Sequence, residues 1–274
     1  RPKGSRLQIF LAFSSDQTVN FESIDALMQA SPLADYYKIA PIEDVPVCLR
    51  KSFANILLVK KQEQTRLSTG DTLFTVEGWK SNPKSRLYEM EKTAEALNED
   101  MVYHISIYGS DTYKTAQQAL QKPIAILREK ALGRSGQITL ADNKNRPRDV
   151  SAEETLRIYE EFLSDVAKSP CFFANILLYA NQKSSAHFLM DAVCGEAIKE
   201  GTCEIQEIPS TATPLELQEV NQPYCNLLPP SLAFWPTAYT LDELSSFFRL
   251  PILFDGENIE IKKIHIWKLE KRKT

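Results

Sequence analysis

Few residues in this chain have the types and spacing that chemistry needs. Gly78-Trp79-Lys80-Ser81 is the nearest approach to a phosphate-binding loop. Such a loop needs G-x-x-x-x-G-K-[ST], so that backbone amides wrap the phosphates and the Lys reaches their outer oxygens. Trp79 separates Gly78 from Lys80, and no second Gly stands where the pattern requires one. The stretch reads as the end of a hairpin. His187, Cys194 and Cys203 form a local group of metal-ligand types, but their spacing fits no zinc pattern, and buried thiols are the reading. His104 and His265 fall in alternating strands, and no cysteine carries a family signature for nucleophilic catalysis.

The paired carboxylates Glu153-Glu154 and Glu160-Glu161 lie off the apolar stripe of a helix, on a solvated face. Asn55 and Asn175 interrupt apolar strands, where a buried amide must be hydrogen-bonded. Lys144, Arg146 and Arg148 are the possible phosphate contacts, in a basic loop with no aromatic residue to stack on bases. Lys262, Lys263 and Lys268–Lys273 add a basic end. No residue is assigned a catalytic, cofactor-binding or metal role, and no cofactor is expected.

The elements that position these residues follow from hydrophobic period. Leu7–Phe13 reads as a strand and Phe21–Ala30 as a short helix. Ser52–Lys60 and Thr72–Glu77 read as the two strands of a long hairpin around Thr69-Gly70-Asp71. Leu87, Met90, Ala94 and Leu97 mark one face of a helix, and Met101–Tyr108 is a strand. Asp111–Leu132 is helical, with Pro123 expected to break or kink it. The same order then recurs. Leu156, Tyr159, Leu163 and Val166 mark a helix, Cys171–Tyr179 is a strand, and Ser185–Lys199 is a helix with Gly201 as its C′ residue. Thr202–Ile208 alternates as a strand. Pro209–Pro230 is a stiff, proline-rich connection. Thr240 and Glu243 spell a capping box, so a short helix starts there and ends at Pro251, and Asn258–Trp267 alternates as a strand.

The hexamer Phe-Ala-Asn-Ile-Leu-Leu occurs at Phe53–Leu58 and Phe173–Leu178. Its spacing of 173 − 53 = 120 differs from the spacing of the recurring helix–strand units, where 156 − 87 = 69 and 171 − 101 = 70. The duplication therefore pairs Phe173–Leu178 with the dissimilar Val102–Ile107. The fold class expected is α+β: two lobes built from duplicated helix–strand–helix units, of the split βαβ, ferredoxin-like kind, with a short C-terminal helix–strand extension. The divisions expected are a first lobe over 1–133, a linker over 134–150, a second lobe over 151–208, a proline-rich linker over 209–232 and a final helix and strand over 233–274.

A net charge of −4 argues against a nucleic-acid coat protein, and no apolar run is long enough to span a bilayer. Five cysteines without a CxxC pair suit reduced thiols in the cytoplasm. Arg1 in place of Met suggests a piece of something larger.

Thr240–Pro251, TLDELSSFFRLP, resembles a segment ahead of the motor domain in conjugation and type IV secretion ATPases of the HerA–FtsK superfamily. The upstream helix and Asn-containing strand of Leu156–Tyr179 are similar to their N-terminal region. The resemblance implies a non-catalytic accessory domain, not an enzyme, that docks on a hexameric P-loop motor in DNA transfer, processing or phage defence. The motor would lie in the same polypeptide or a separate subunit. It implies Phe247, Phe248, Arg249, Leu250 and Pro251 as the docking surface, with DNA as a possible further partner. The alternatives are a free-standing protein- or nucleic-acid-binding module and an enzyme whose site the sequence does not display.

Overall fold

In the computed structural model the described residues are 10–13, 22–23, 26, 29–30, 39–41, 47–68, 70–108, 112–132, 149–209, 213–214, 227–249 and 264–268. The fold is mixed α+β. Its main sheet is built from β3 (Asn55–Lys61), β7 (Val102–Tyr108), β8 (Cys171–Ala180) and β10 (Cys203–Glu207), with the short β11 (Ala238–Thr240). The order is β7-β8-β3-β10, and every pairing is antiparallel. β11 pairs the start of β8 at Phe173, Phe172 and Cys171 and prolongs the line of β3.

A short α1 (Val47–Arg50) precedes β3; between β3 and β7 lie the short β6 (Lys80–Ser81) and α2 (Tyr88–Leu97), and between β8 and β10 lies α5 (Lys183–Ala197). Two βαβ units thus interleave so that β3 and β8 are central and β7 and β10 lie outside them. This is the split βαβ, ferredoxin-like arrangement. Both expected helix–strand–helix units form, and their strands β7 and β8 are direct neighbours, Ile105 opposite Ile176. The expected boundary over 134–150 therefore falls within a body that shares one sheet. It joins α3 (Thr112–Ala131) to α4 (Val150–Lys168), which pack against each other.

Strand alternation divides the core between the two faces of the sheet. Leu57, Val59, Ile176 and Leu178 point to one face, where Met90 of α2 and Leu189, Met190 and Val193 of α5 cover them. Ile56, Leu58, Leu177 and Tyr179 point to the other, with Phe53 and Ile208. At the far end of that second face, Cys171 and Phe173 meet Ala116, Leu120, Tyr159 and Phe162 of the α3–α4 pair. Both copies of the repeated hexamer thus lie in the two central strands, paired Leu57 to Leu178. β3 and β8 are the first strands of the two βαβ units, so the hexamers hold equivalent places and the expected pairing of Phe173–Leu178 with Val102–Ile107 is corrected.

α2 and α5 cap each other. Glu196, in the last turn of α5, accepts from the amides of Arg86 (2.8 Å), Tyr88 (3.1 Å) and Glu89 (2.9 Å) at the start of α2. Glu99, just beyond α2, accepts from Asn181 (2.6 Å) and Gln182 (2.8 Å) at the start of α5. Each carboxylate satisfies orphan donors and sits at the positive end of a helix.

Several expectations differ in detail. The hairpin pairs β4 (Glu63–Ser68) with β5 (Asp71–Val76), while Phe53–Leu58 belongs to the main sheet. α3 runs through Pro123 without ending there. Its stripe of Ala116, Leu120, Ile124 and Leu127 is buried, which offsets the roughly 3 kcal/mol that an interior proline costs. α5 ends at Ala197, and Gly201 instead makes the turn between β9 (Ile198–Glu200) and β10. There φ is +98°, and a Cβ would stand 2.8 Å from the Gly78 carbonyl oxygen. A second small sheet joins the two ends of the chain: β12 (Ile264–Lys268) lies between β1 (Phe10–Phe13) and β2 (Ile39–Pro41), parallel to both.

The mutual caps generate a prediction. Glu196→Ala and Glu99→Ala should each cost about 1 kcal/mol, read as a lower urea midpoint with an unchanged m-value. Equal stability of both variants and the parent would refute a capping role.

Candidate docking surface

The segment Thr240–Arg249 is held from several sides. β11 enters it, and α6 (Leu241–Ser245) follows with the capping box that Thr240 and Glu243 lead one to expect. Thr240 Oγ1 accepts from the Glu243 amide at 3.2 Å, and Glu243 Oε2 accepts from the Thr240 amide at 2.8 Å. The other Glu243 oxygen accepts from Lys61 Nζ at 2.8 Å, with the lysine side chain 2% exposed. Gly78 leaves room for this carboxylate, since a Cβ there would lie 3.2 Å from Glu243 Oε1.

Lys61 closes β3, beside Lys60, and the two are buried in succession. Lys60 Nζ donates to Glu63 Oε1 at 2.5 Å and lies 3.5 Å from Glu204. Glu63 in turn accepts from the amides of Leu227 (2.7 Å) and Leu228 (3.2 Å). Lys61 also stands over the rings of Tyr239 and Phe162 at 5.3 and 5.5 Å. Both strands of contact tie C-terminal chain to the end of β3. Sequence reasoning missed this pair. The one signal is Lys60-Lys61 following four apolar residues inside a strand, which a solvated strand end explains equally well.

Phe247 was expected on the docking surface, and the structure corrects this. It is fully buried and packs on Trp79, ring centroids 5.4 Å apart, within the core that α2 and α5 cover. Its carbonyl accepts from Tyr103 Oη at 2.9 Å. Trp79 Nε1 donates to the Glu243 carbonyl at 3.2 Å, and Ser85 Oγ to that of Ser246 at 3.3 Å. Arg249 donates to the Asn82 carbonyl at 2.9 Å and lies partly buried. What the segment turns outward is Phe248, 40% exposed, and Leu241, 46% exposed. Leu250 and Pro251 lie outside the described residues, as do Lys144, Arg146 and Arg148.

The remaining chemical groups take structural places. Lys80 is exposed and paired with Glu200 at 2.5 Å, and Trp79 beside it is buried. Asn55 donates to the Asn181 carbonyl at 2.8 Å, and Asn175 is buried opposite Ser106. Glu154 pairs Arg66, Glu160 pairs Arg128 and Glu161 pairs Arg157 on the exposed side of α4. His187 faces Glu207 at 3.3 Å on the surface, while Cys194 lies in the core. Among the described residues no group of three or more His, Cys, Asp or Glu is placed to hold a metal. Nor, among them, is any helix long and apolar enough to cross a membrane.

His104 projects from β7, its Nε2 3.2 Å from Ser106 Oγ and its ring against Tyr179. Burial pushes its pKa down to about 4, and among the described residues Nδ1 has no hydrogen-bond partner. A base this weak is neutral at pH 7 and suited to packing.

Comparison with protein-family models, with curated proteins and with solved structures yields no match for this chain. The likeness to HerA–FtsK motors therefore rests on the residues of Thr240–Pro251 and Leu156–Tyr179 alone.

Two predictions follow from this geometry. Lys61→Met strands Glu243 in a buried place and should cost roughly 3 kcal/mol. Adding Glu243→Gln should return much of that loss, giving a coupling energy in a urea double-mutant cycle; strictly additive losses would sink the pairing. For His104, the unfolded chain takes up a proton near pH 6.5 and the folded chain only near 4. Stability is therefore full above 6.5 and falls as pH drops through that window, by about 3 kcal/mol. A His104→Phe variant should lack that part of the acid loss, and an identical pH profile would contradict it.

Proposed function

We propose that this chain is a non-catalytic docking domain whose partner is a HerA-like, DNA-translocating hexameric ATPase. The contact is made by Phe248 and Leu241, flanked by the aliphatic stem of Arg249. The observation that carries this reading is the preorganisation of the Thr240–Arg249 segment. A capping box, the Lys61–Glu243 pair, the buried Phe247 and the anchored Arg249 hold ten residues in place from below. They present an aromatic and an aliphatic side chain to solvent. A surface already ordered loses little conformational entropy when it binds, and a large aromatic side chain is the common energetic centre of an interface. The same segment carries the sequence resemblance to the chain that precedes such motors. The partner's chemistry comes from that resemblance, and the contact residues come from the exposure.

The test is titration calorimetry of the full chain against a purified HerA-class hexamer. Phe248→Asp should weaken binding at least about tenfold, and Leu241→Ser should weaken it less. Both side chains are partly exposed, so thermal midpoints should stay within a few degrees of the parent. Binding that ignores both substitutions, or no binding by the parent, overturns the proposal.

A further inference from the structure

β7 lies at an edge of the main sheet. On one side β8 pairs all seven of its residues, from Val102 opposite Tyr179 to Tyr108 opposite Phe173. Among the described residues no strand pairs its other side. In an antiparallel ladder alternate residues turn both N–H and C=O to the neighbouring strand, and the residues between them turn theirs outward. An open side of this kind is a template for a further strand, and proteins guard it with charge, proline or a short edge. β10, at the opposite edge, is guarded: it has five residues, and Glu204 and Glu207 are among them. β7 is longer, and its sequence VYHISIY has no Asp, Glu, Lys, Arg or Pro. The docking reading above makes no use of this open side.

We propose that the open side of β7 is the seam of a homodimer, in which two copies of this chain pair β7 to β7, antiparallel, about a two-fold axis through Ile105. One register of this kind pairs the whole strand. It sets Val102 opposite Tyr108, Tyr103 opposite Ile107, His104 opposite Ser106, and Ile105 opposite Ile105 of the second copy. Each pair joins positions separated by an even number of residues. Residues that turn their backbone groups outward therefore meet residues that do the same, and the ladder closes. No two like charges meet along it.

The side chains suit the same register. Met101, Tyr103 and Ile105 pack against the core beneath α2 and α5, and alternation puts Ile107 on that face as well. Ile107 is 47% exposed in the single chain, and Tyr103 of the second copy covers it. The Tyr103 ring is already held, since its hydroxyl donates to the Phe247 carbonyl at 2.9 Å. Aromatic–aliphatic pairs directly across a ladder are among the favourable ones, and the two-fold makes this pair twice, on either side of Ile105. The contact is isologous, so it closes at two copies and leaves no β7 edge for a third. The two main sheets become one continuous antiparallel sheet, with both α2–α5 layers on the same side.

The experiment is sedimentation velocity of the full chain over a concentration series, joined to cross-linking of two variants. The parent should sediment at twice the mass of one chain. Ile107→Lys brings a charge to the seam at an exposed position and should raise the dissociation constant at least about tenfold, with its far-ultraviolet circular dichroism unchanged. Ile105→Cys sets two thiols across the axis, where opposed Cα atoms stand about 4.5–5.5 Å apart, within disulfide reach. Mild oxidation should link its two copies through position 105, as mapped by mass, whereas Ile107→Cys, whose counterpart lies off the axis, should link no more than the parent. A monomer across the whole series overturns the proposal, whether another part of the chain or a different protein covers β7. So does a dimer that Ile107→Lys leaves intact, a failure of Ile105→Cys to link, or equal linking through Ile107→Cys. The parent's mass decides even where a variant fails to fold, and no motor enters any of these measurements.

Discussion

Two adjacent lysines buried at the end of one strand impose the strictest condition on this structure. Lys60 and Lys61 leave β3 in succession, and neither ammonium can lie in the core without a carboxylate. Glu63 supplies one and Glu243 the other. Desolvation makes such pairs poor sources of net stability, but a lost partner is costly. Their effect is to choose among packings. Glu63 holds the amides of Leu227 and Leu228, and Glu243 starts α6. The C-terminal chain must therefore return to the end of β3, where β11 takes over its line beside β8.

The sheet makes that return possible. Interleaved βαβ units place β3 and β8, the two most apolar strands, at the centre, where both their faces are covered. α2 and α5 close one face and exchange carboxylate caps, each accepting from amides at the start of the other. The α3–α4 pair closes the far end of the other face. Phe247 and Trp79 seal the junction between sheet, α5 and the returning segment. Phe248 and Leu241 are left exposed where this junction meets solvent, above residues that belong to the core.

Function is less constrained than architecture. The buried lysines and the capped helices would be required of the fold whatever it binds. The sequence segment that suggests a motor partner does not say which of its aromatic side chains faces solvent. In TLDELSSFFRLP, Phe247 and Phe248 are equivalent letters. One turn of chain sends the first into the core and the second outward.

Sequence by itself determined what depends on neighbours in the chain. The period of Leu87–Leu97 and Leu156–Val166, the alternation of Val102–Tyr108, the apolar run of Cys171–Ala180 and the Thr240–Glu243 capping box all express local geometry. The spacing near 70 paired β8 with β7, but in the two interleaved βαβ units β8 holds the place of β3, and β7 that of β10. Tertiary structure alone decided how those units combine: one interleaved sheet, a helix continuous through Pro123, and a strand Glu63–Ser68 hidden by its polar letters. It also decided which charges are buried. Solvation free energy depends on what lies within a few ångströms in space, and Lys61 meets Glu243 only after the 181 residues between them have folded back. No local pattern records that meeting.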